Sequence, residues 1–594
     1  MNMKALPFEP LPIGPKRRFL PENLDLGDWA SVASQFDRLE AGAGKCAETR
    51  EFEQWLLDWS ELSAALEEEG SKRYIAMTCD TDDEDAEKAY LRFVEEIEPL
   101  IKPRQFHMAQ IFVGHPLRQA LCQERYYVFD RLTSLQMSLF RVENVALETE
   151  EASVGQKYQK LCGGLTVTFR GEELTLAQMG RFLEEPDRGL RESAWRLVSE
   201  RRLQEKEQFE AQFDQLLRLR HQIALNAGFA NYRDYAFRMR GRFDYGPGEC
   251  FRFHDAIEQE IVPVLRELQR IRQSKLQLPS LRPWDLSVDP ENQTPLRPFE
   301  QASELVEKAQ RIFDSLDSDF SRDFKKMRDF RLLDLENKKG KAPGGYQSCL
   351  AESRLPFVFM NAVGIQRDVE TLLHEAGHAF HSLSCRDEEL LAYRGAPIEF
   401  CEVASMSMEL FGGEFLGAYY SDSDACRARR DHLEGVVEVF PWIATVDAFQ
   451  HWLYTHPDHS RSEREAAWSQ LMKRFQGDVD WTGLEGIRDS LWHRQLHIFL
   501  YPFYYVEYGI AQLGALQVWL RSKTDRAEAL ARYKAALKLG GSRPLPELFA
   551  TAGCRFDFSG ETVRPIAGLL REELNINTAV APGDKVLTKH SPAP

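Results

Sequence analysis

The segment 190-LRESAWRLVSERRLQEKEQFEAQFDQLLRLRHQIALNAGF-229 carries apolar residues at steps of three and four among dense charges. That period matches the α-helix, so the segment predicts long amphipathic helices whose apolar stripe must be buried against other elements. Strand-like alternation is rare, with 165-LTVTF-169 and 355-LPFVFM-360 the best cases. At 594 residues the chain is too long for one compact core, and two or more lobes are expected. The reading is a mainly α protein in two parts: an N-terminal helical lobe over 1–185 and a second helical domain over 186–576. Pro279, Pro283, Pro290, Pro295 and Pro298 mark an extended connection between helical blocks. The tail 577-NTAVAPGDKVLTKHSPAP-594 lacks apolar periodicity and is expected to be disordered.

Composition narrows the function classes. A formal charge of −18 argues against a nucleic-acid or anionic-membrane partner, because phosphate binding needs concentrated cations. The opening MNMKALPFEPLPIGPKRRF has no apolar core of signal-peptide length. The run 498-IFLYPFYYVEYGIAQLGALQVWL-520 is long enough to span a bilayer, but Pro502, Glu507 and Gln512 within it favour a buried helix. Ten cysteines without CxxC pairs point to reduced thiols and a cytoplasmic location.

The chemistry concentrates in 368-DVETLLHEAGHAFHSL-383. Asp368 is expected as an N-cap, and Leu372, Leu373, Ala376 and Phe380 give an inward helical stripe. His374 and His378 then lie one turn apart on one face, separated by about 6 Å of axial rise. Imidazoles so placed converge on one tetrahedral Zn²⁺ and leave room for a third ligand and a water. Glu375, one helical step round, flanks the ion where a base belongs. The competing reading is a surface pair of histidines beside a solvated glutamate, but the flanking residues are apolar. Gly377 weakens the helix by about 1 kcal/mol relative to alanine, which makes sense if backbone or substrate approaches there closely. His381 lies about 10.5 Å in rise from His374, too far to share the ion on a straight helix; it is expected to support or pack. The metzincin pattern is absent, since Ser384 stands where its third histidine belongs. A third ligand is expected from 399-EFCEVASMSMEL-410, where Glu402 and Glu409 share one helical face. Spacing favours Glu402 and leaves Glu399 as a rival; the second carboxylate of the pair would orient a histidine through its free ring nitrogen.

Further on, His497, Tyr501, Tyr505 and Tyr508 follow steps of four, four and three. Such a stripe is commonly core, yet phenols and an imidazole are also the donors that stabilise an oxyanion. Pro502 disturbs a continuous helix; a helix beginning there would leave Tyr501 on the preceding loop. The strand 356-PFVFMN-361, just before the HExxH helix, is expected to offer an exposed edge to an extended peptide through Phe359, Met360 and Asn361. Gly344 and Gly345 would permit close backbone approach or simply serve a turn.

With these segments assembled, the sequence resembles the oligoendopeptidase F and thimet oligopeptidase family of zinc metallopeptidases, and the oligoendopeptidase F branch more closely. The likeness rests on 340-GKAPGGYQ-347, 356-PFVFMNAVG-364, 374-HEAGHAFH-381, 401-CEVASMSME-409 and 497-HIFLYPFYYVEYG-509, with weaker likeness in 227-AGFANYRDY-235 and 445-TVDAFQHWLY-454. Ala376 stands where Phe or Leu is more usual. The resemblance implies a two-lobed helical metallopeptidase with a deep central channel and a small β element beside the HExxH helix. It implies one Zn²⁺ per chain held by His374, His378 and Glu402, with Glu409 supporting a ligand. It implies Glu375 as base, His497, Tyr501 and Tyr508 as catalytic donors, and Tyr505 as a residue against the substrate. The implied activity is hydrolysis of internal bonds in short peptides. A zinc aminopeptidase is disfavoured by the lack of a G-x-M-E-N segment. A peptide-binding protein with a structural zinc is disfavoured because Glu375 is retained and three protein ligands leave one position open.

Overall fold

The computed structural model describes residue 11 and residues 14–576; the expected disordered tail, 577–594, lies outside the described residues. The architecture is mainly α, with helices running from Trp29–Ala43 to Gly560–Glu573. The amphipathic stretch near 190–229 forms two helices, Arg188–Gln204 and Lys206–Asn226, parted at Glu205. The second buries Phe209, Phe213, Leu216, Leu217 and Ile223 at helical spacing, as its stripe requires. The proline-rich stretch carries only a short turn of 3₁₀ helix at Pro283–Asp285 before the helix Ala302–Leu316. Among the described residues no helix is long and apolar enough to cross a membrane. The hydrophobic run after residue 498 is a buried helix, Tyr505–Ser522, preceded by a short one at Leu496–Leu500.

Apolar packing falls into two large cores. One gathers Val32, Phe36, Phe52, Trp55, Met108, Phe112 and Tyr126 from the N-terminal helices. The other joins the HExxH region to the C-terminal helices, and Val154 and Tyr158 of the helix Asn144–Gly163 are buried in it. The N-terminal core takes two residues from far along the chain, Leu390 and Tyr393. Their segment connects the helix Gln366–Ser384 to the helix Ile398–Gly412. Polar bonds hold it on the N-terminal helices. Tyr393 OH donates to Arg125 O at 2.6 Å, Leu391 N–H donates to Ser60 Oγ at 2.6 Å, and Arg125 pairs with Glu388 at 2.7 Å.

Both expected strands are present. β1 (Thr166–Phe169) and β2 (Glu172–Thr175) form a hairpin. β3 (Leu333–Glu336), β4 (Tyr346–Leu350) and β5 (Leu355–Ala362) form a three-stranded sheet in the order β3-β5-β4. β5 runs parallel to β3 and antiparallel to β4. This sheet packs on the helix Gln366–Ser384 and corrects one expectation. β5 is the central strand, with neighbours on both sides and Phe357, Val358, Phe359 and Met360 buried. It has no free edge to offer. The outer strands are β3 and β4.

Candidate metal centre and active site

The helix Gln366–Ser384 begins where the backbone N–H groups of Val363, Gly364 and Ile365 donate to Asp368 Oδ2 at 2.8, 2.8 and 3.0 Å. Asp368 thus caps from the third helical position; the N-cap residue is Ile365, not Asp368 as the sequence suggested. One turn and a half later His374 and His378 project to the same side, with ring centroids 4.8 Å apart and planes at 85°. Glu402, from the helix Ile398–Gly412, reaches the same point. Its Oε2 lies 3.3 Å from His374 Nε2 and 3.7 Å from His378 Nε2. All three donor atoms lie within 4.8 Å of one another. Ligands about 2.0–2.2 Å from a tetrahedral Zn²⁺ stand roughly 3.3–3.5 Å apart, so the donor set fits that ion in both type and spacing.

Gly377 makes this convergence possible. A Cβ there would lie 2.5 Å from Ser405 Cα and 2.7 Å from Ala404 O, so the two helices cross backbone against backbone. Glu399, the rival ligand, instead accepts a 2.7 Å bond from Tyr245 OH. Glu402 is held by Ser405 Oγ, which donates to its Oε2 at 3.0 Å. Glu409 accepts from His374 Nδ1 at 2.6 Å and from His432 Nε2 at 2.9 Å. That bond fixes the ring of His374 with Nε2 turned toward Glu402.

Electrostatics agree with the geometry. Burial opposes charge on His374, but the hydrogen bonds to Glu402 and Glu409 outweigh it and raise its pKa to about 10. In the absence of a cation, a proton on Nε2 answers the Glu402 carboxylate; a divalent ion would take that proton's place. His378, governed by burial, is lowered to about 4 and is a neutral donor at ordinary pH. Glu375 is buried and raised to about 7, chiefly by desolvation; His374 pulls it down while Glu402 and Glu409 push it up. A carboxyl poised near neutrality beside a donor set is the environment of a proton acceptor.

The edge of β4 runs beside Glu375. Register pairs Tyr346, Ser348 and Leu350 with Phe359, Phe357 and Leu355. Val358 N–H donates the other way, to Leu332 O at 2.9 Å, so residues of odd number on β5 face β4. Gln347 and Cys349 therefore turn their backbone groups to the free edge. The Gln347 N–H is felt by Glu375, whose pKa it lowers. Phe359 and Met360 lie underneath: Phe359 stacks on Tyr346 at 4.8 Å. Asn361 Nδ2 donates to Ala342 O and Gly344 O at 2.8 and 2.9 Å. These residues shape the turn before β4, with Gly344 at φ +103° and Gly345 against Phe359 O.

The imidazole–phenol row is not one helix. It breaks between Leu500 and Tyr505, where Phe503 adopts φ +64° and is buried. The break is pinned by Arg240 Nε, which donates to Pro502 O at 2.8 Å, and by Arg242, which donates to Phe503 O and Glu507. Even so, His497 gathers Tyr505 at 4.7 Å, Tyr508 at 5.9 Å and Tyr501 at 6.2 Å between ring centroids. Tyr501 is half exposed, at 50%. The break also brings in Tyr504, which the sequence reading missed, stacked on His497 at 5.7 Å and 5.2 Å from Tyr508. Burial raises the pKa of Tyr504 and Tyr508, and both feel the charge of Glu402, which places them toward the donor set. Burial lowers His497 to about 4. His381 stays apart: it is buried against Phe400, and its Nε2 has no hydrogen-bond partner among the described residues. A second donor cluster, Cys250, Asp447 and His451, is wholly buried. Asp447 Oδ2 there already accepts from His254 at 2.8 Å, so that cluster offers no open face to a substrate.

Known proteins share this fold. The profile described as Peptidase family M3 matches residues 181–567, and that of the Peptidase M3 N-terminal domain matches residues 19–140. The chain is 25% identical over 325 residues to the chromosomal oligoendopeptidase F of Lactococcus lactis subsp. cremoris, which is 51% of this chain and 50% of that protein. It is 25% identical over 324 residues to oligopeptidase PepF of Bacillus subtilis (strain 168), 53% and 47% of the two chains. It thus spans about half the length of the curated relatives it matches. Among solved structures, Pz peptidase A with an inhibitor superposes with a TM-score of 0.84 at 29% identity, covering 94% of this chain and 99% of that one. The oligoendopeptidase-F of Enterococcus faecium, at 16% identity and a TM-score of 0.53 over 92% and 91% of the chains, is alike in fold. With both profiles matched in order along one helical fold, the chain belongs to peptidase family M3, on its oligoendopeptidase F side.

Proposed function

We propose that the protein is a zinc-dependent oligoendopeptidase that hydrolyses internal bonds of short peptides. The observation that carries this reading is the convergence of His374 Nε2, His378 Nε2 and Glu402 Oε2 beside a buried Glu375 raised to about 7. His374, His378 and Glu402 would hold one Zn²⁺, with Glu409 fixing the ring of His374. When bound, that ion supplies Lewis acidity to the scissile carbonyl and to the attacking water. Glu375 accepts the proton of the attacking water and returns it to the leaving amine. The oxyanion that develops on the carbonyl is met by donors from His497, Tyr501 and Tyr508. Tyr505 packs on His497 and borders the substrate. The peptide lies extended along β4, pairing with the backbone groups of Gln347 and Cys349; Gly344 and Gly345 shape the turn leading there, and Phe359, Met360 and Asn361 support that edge from behind.

Short peptides are the proposed substrates, without nucleic-acid or membrane partners. A cytoplasmic location is supported by ten cysteines that are all unpaired. The test is incubation with a quenched peptide library, with and without a chelator, and mass spectrometry of the products. Internal cleavage that stops on zinc removal and returns on zinc addition is expected. Turnover indifferent to the chelator, or removal of single terminal residues only, defeats the reading.

A further inference from the structure

Buried guanidinium groups in this fold have carboxylates at hand. Arg191 is paired with Asp285, Arg220 with Glu151, Arg464 with Glu210 and Asp214, and Arg242 with Glu507. Arg202, which is half-buried, and Arg494, which is exposed, differ from these. Both line one cavity of about 140 Å³. Neither has a carboxylate partner among the described residues; Arg494 only overlies the Trp442 ring at 5.0 Å. Crowding by the protein lowers the pKa of both, and the charge of Arg202 lowers that of Arg494 further. Two cations facing one small cavity in a protein of net charge −18 are a local inversion of sign. An anion between them would relieve their repulsion and meet the planar donor fork of each.

Ser490 also lines the cavity; it is 6% exposed, and its buried Oγ has no hydrogen-bond partner among the described residues. Leu183, Trp195 and Leu491 supply apolar wall. That combination suits a carboxylate on a short apolar stem. The cavity also connects to the catalytic row. Arg494 precedes Gln495, whose Nε2 donates to His497 Nδ1 at 2.9 Å and whose Oε1 accepts from Trp442 Nε1 at 2.9 Å. Tyr505 and Arg494 are close enough for the phenol to affect the guanidinium.

We infer that Arg202 and Arg494 form a carboxylate-binding subsite for the peptide, filled by its free C-terminus or by an acidic side chain. The inference rests on the peptidase reading for the identity of the ligand. It gives the enzyme a fixed point from which the bound chain is measured toward the oxyanion donors.

The test separates binding from turnover. Fluorescent peptides are titrated by anisotropy into full-length, zinc-loaded Glu375→Gln protein, in three matched forms: free C-terminus, C-terminal amide, and internal Glu replaced by Gln. With the arginine pair intact, a carboxylate-bearing form should bind about ten-fold or more tightly than its neutral match, the scale of charge-assisted hydrogen bonds. Arg202→Gln and Arg494→Gln should each remove most of that preference and leave binding of the neutral form unchanged, while Arg494→Lys should retain part of it. Loss of affinity on amidation identifies the terminus as occupant; loss on Glu-to-Gln replacement identifies a side chain. Equal binding of charged and neutral forms by the intact pair overturns the subsite, as does a preference that survives in the double variant. The intact-pair comparison needs no folded arginine variant. Peptides bound with the charge preference but left whole by the unmutated enzyme would count against the proposed function and not against the subsite.

Discussion

Gly377→Ala sets two physical effects against each other. In the middle of a helix, alanine is favoured over glycine by about 1 kcal/mol, so propensity alone predicts a more stable protein. Packing predicts the opposite. The new methyl would sit 2.5 Å from Ser405 Cα, 2.7 Å from Ala404 O and 3.0 Å from Ser405 N. These are backbone atoms of the facing helix and cannot rotate aside. Relief requires the helices to part by about 1 Å, until ordinary carbon contact is restored. Overpacking of this kind costs about 1–3 kcal/mol, and a rigid neighbour places it at the upper end. The net expectation is a loss of roughly 1–2 kcal/mol after the propensity gain, read as a fall of several degrees in Tm. The movement also carries Glu402 away from His374 and His378, because the ligands stand on the two helices being separated. Zinc affinity should fall on the order of 10–100-fold, as when the support of a metal ligand is lost. The assay is thermal unfolding of metal-free and zinc-loaded protein, with competition against a chromophoric chelator for affinity. A variant as stable as the parent, with unchanged zinc affinity, would refute the close-crossing argument.

Glu375→Gln should hold zinc normally and lose about 10²–10⁴ in kcat, the contribution of a positioned base; near-parental turnover would remove Glu375 from its role. Because burial raises Glu375 to about 7, its base form is lost as pH falls. kcat/KM should therefore rise with pH along a single acid limb, at or below about 7 because bound zinc favours the carboxylate, and the limb should vanish from the residual activity of Glu375→Gln. Glu409→Gln loosens the ring of His374 and should weaken zinc about 10–100-fold by chelator competition with kcat per bound ion less affected; unaltered affinity would show that the 2.6 Å bond to His374 is dispensable. Tyr508→Phe should lower kcat by about 10²-fold with KM little changed, and an effect confined to KM would move Tyr508 from the oxyanion to substrate contact.

The parts of the site that were legible in sequence are those whose geometry is local. HExxH fixes two imidazoles by helical rise alone, and an acidic residue near the start of that helix was recognisable at Asp368. Its exact role was not, because the cap depends on the three N–H groups that turn back to it from the preceding loop. Spacing left Glu399 and Glu402 both open, since they stand only three residues apart; the choice depends on which side faces Tyr245 and which faces the histidines. The strand was recognisable over 355–360 from its strand-like alternation. Its central place in the sheet was not, because β4, YQSCL, lacks alternation and β3 is four residues long. Tyr504 was invisible to a periodic reading, because the Phe503 break shifts the phase of the helix just before it. His432 carries no local signal at all; it meets Glu409 across 23 residues.

The connection between the helices that carry HExxH and Glu402 is anchored in the other apolar core. Leu390 and Tyr393 lie in the N-terminal core, and the bonds to Ser60 and Arg125 tether the same segment. The N-terminal core is consequently a strut for the donor set. Cutting it away would free the hinge between HExxH and Glu402, so that a truncated catalytic half would keep all three donors in its sequence while forfeiting the rigidity that holds them in one place.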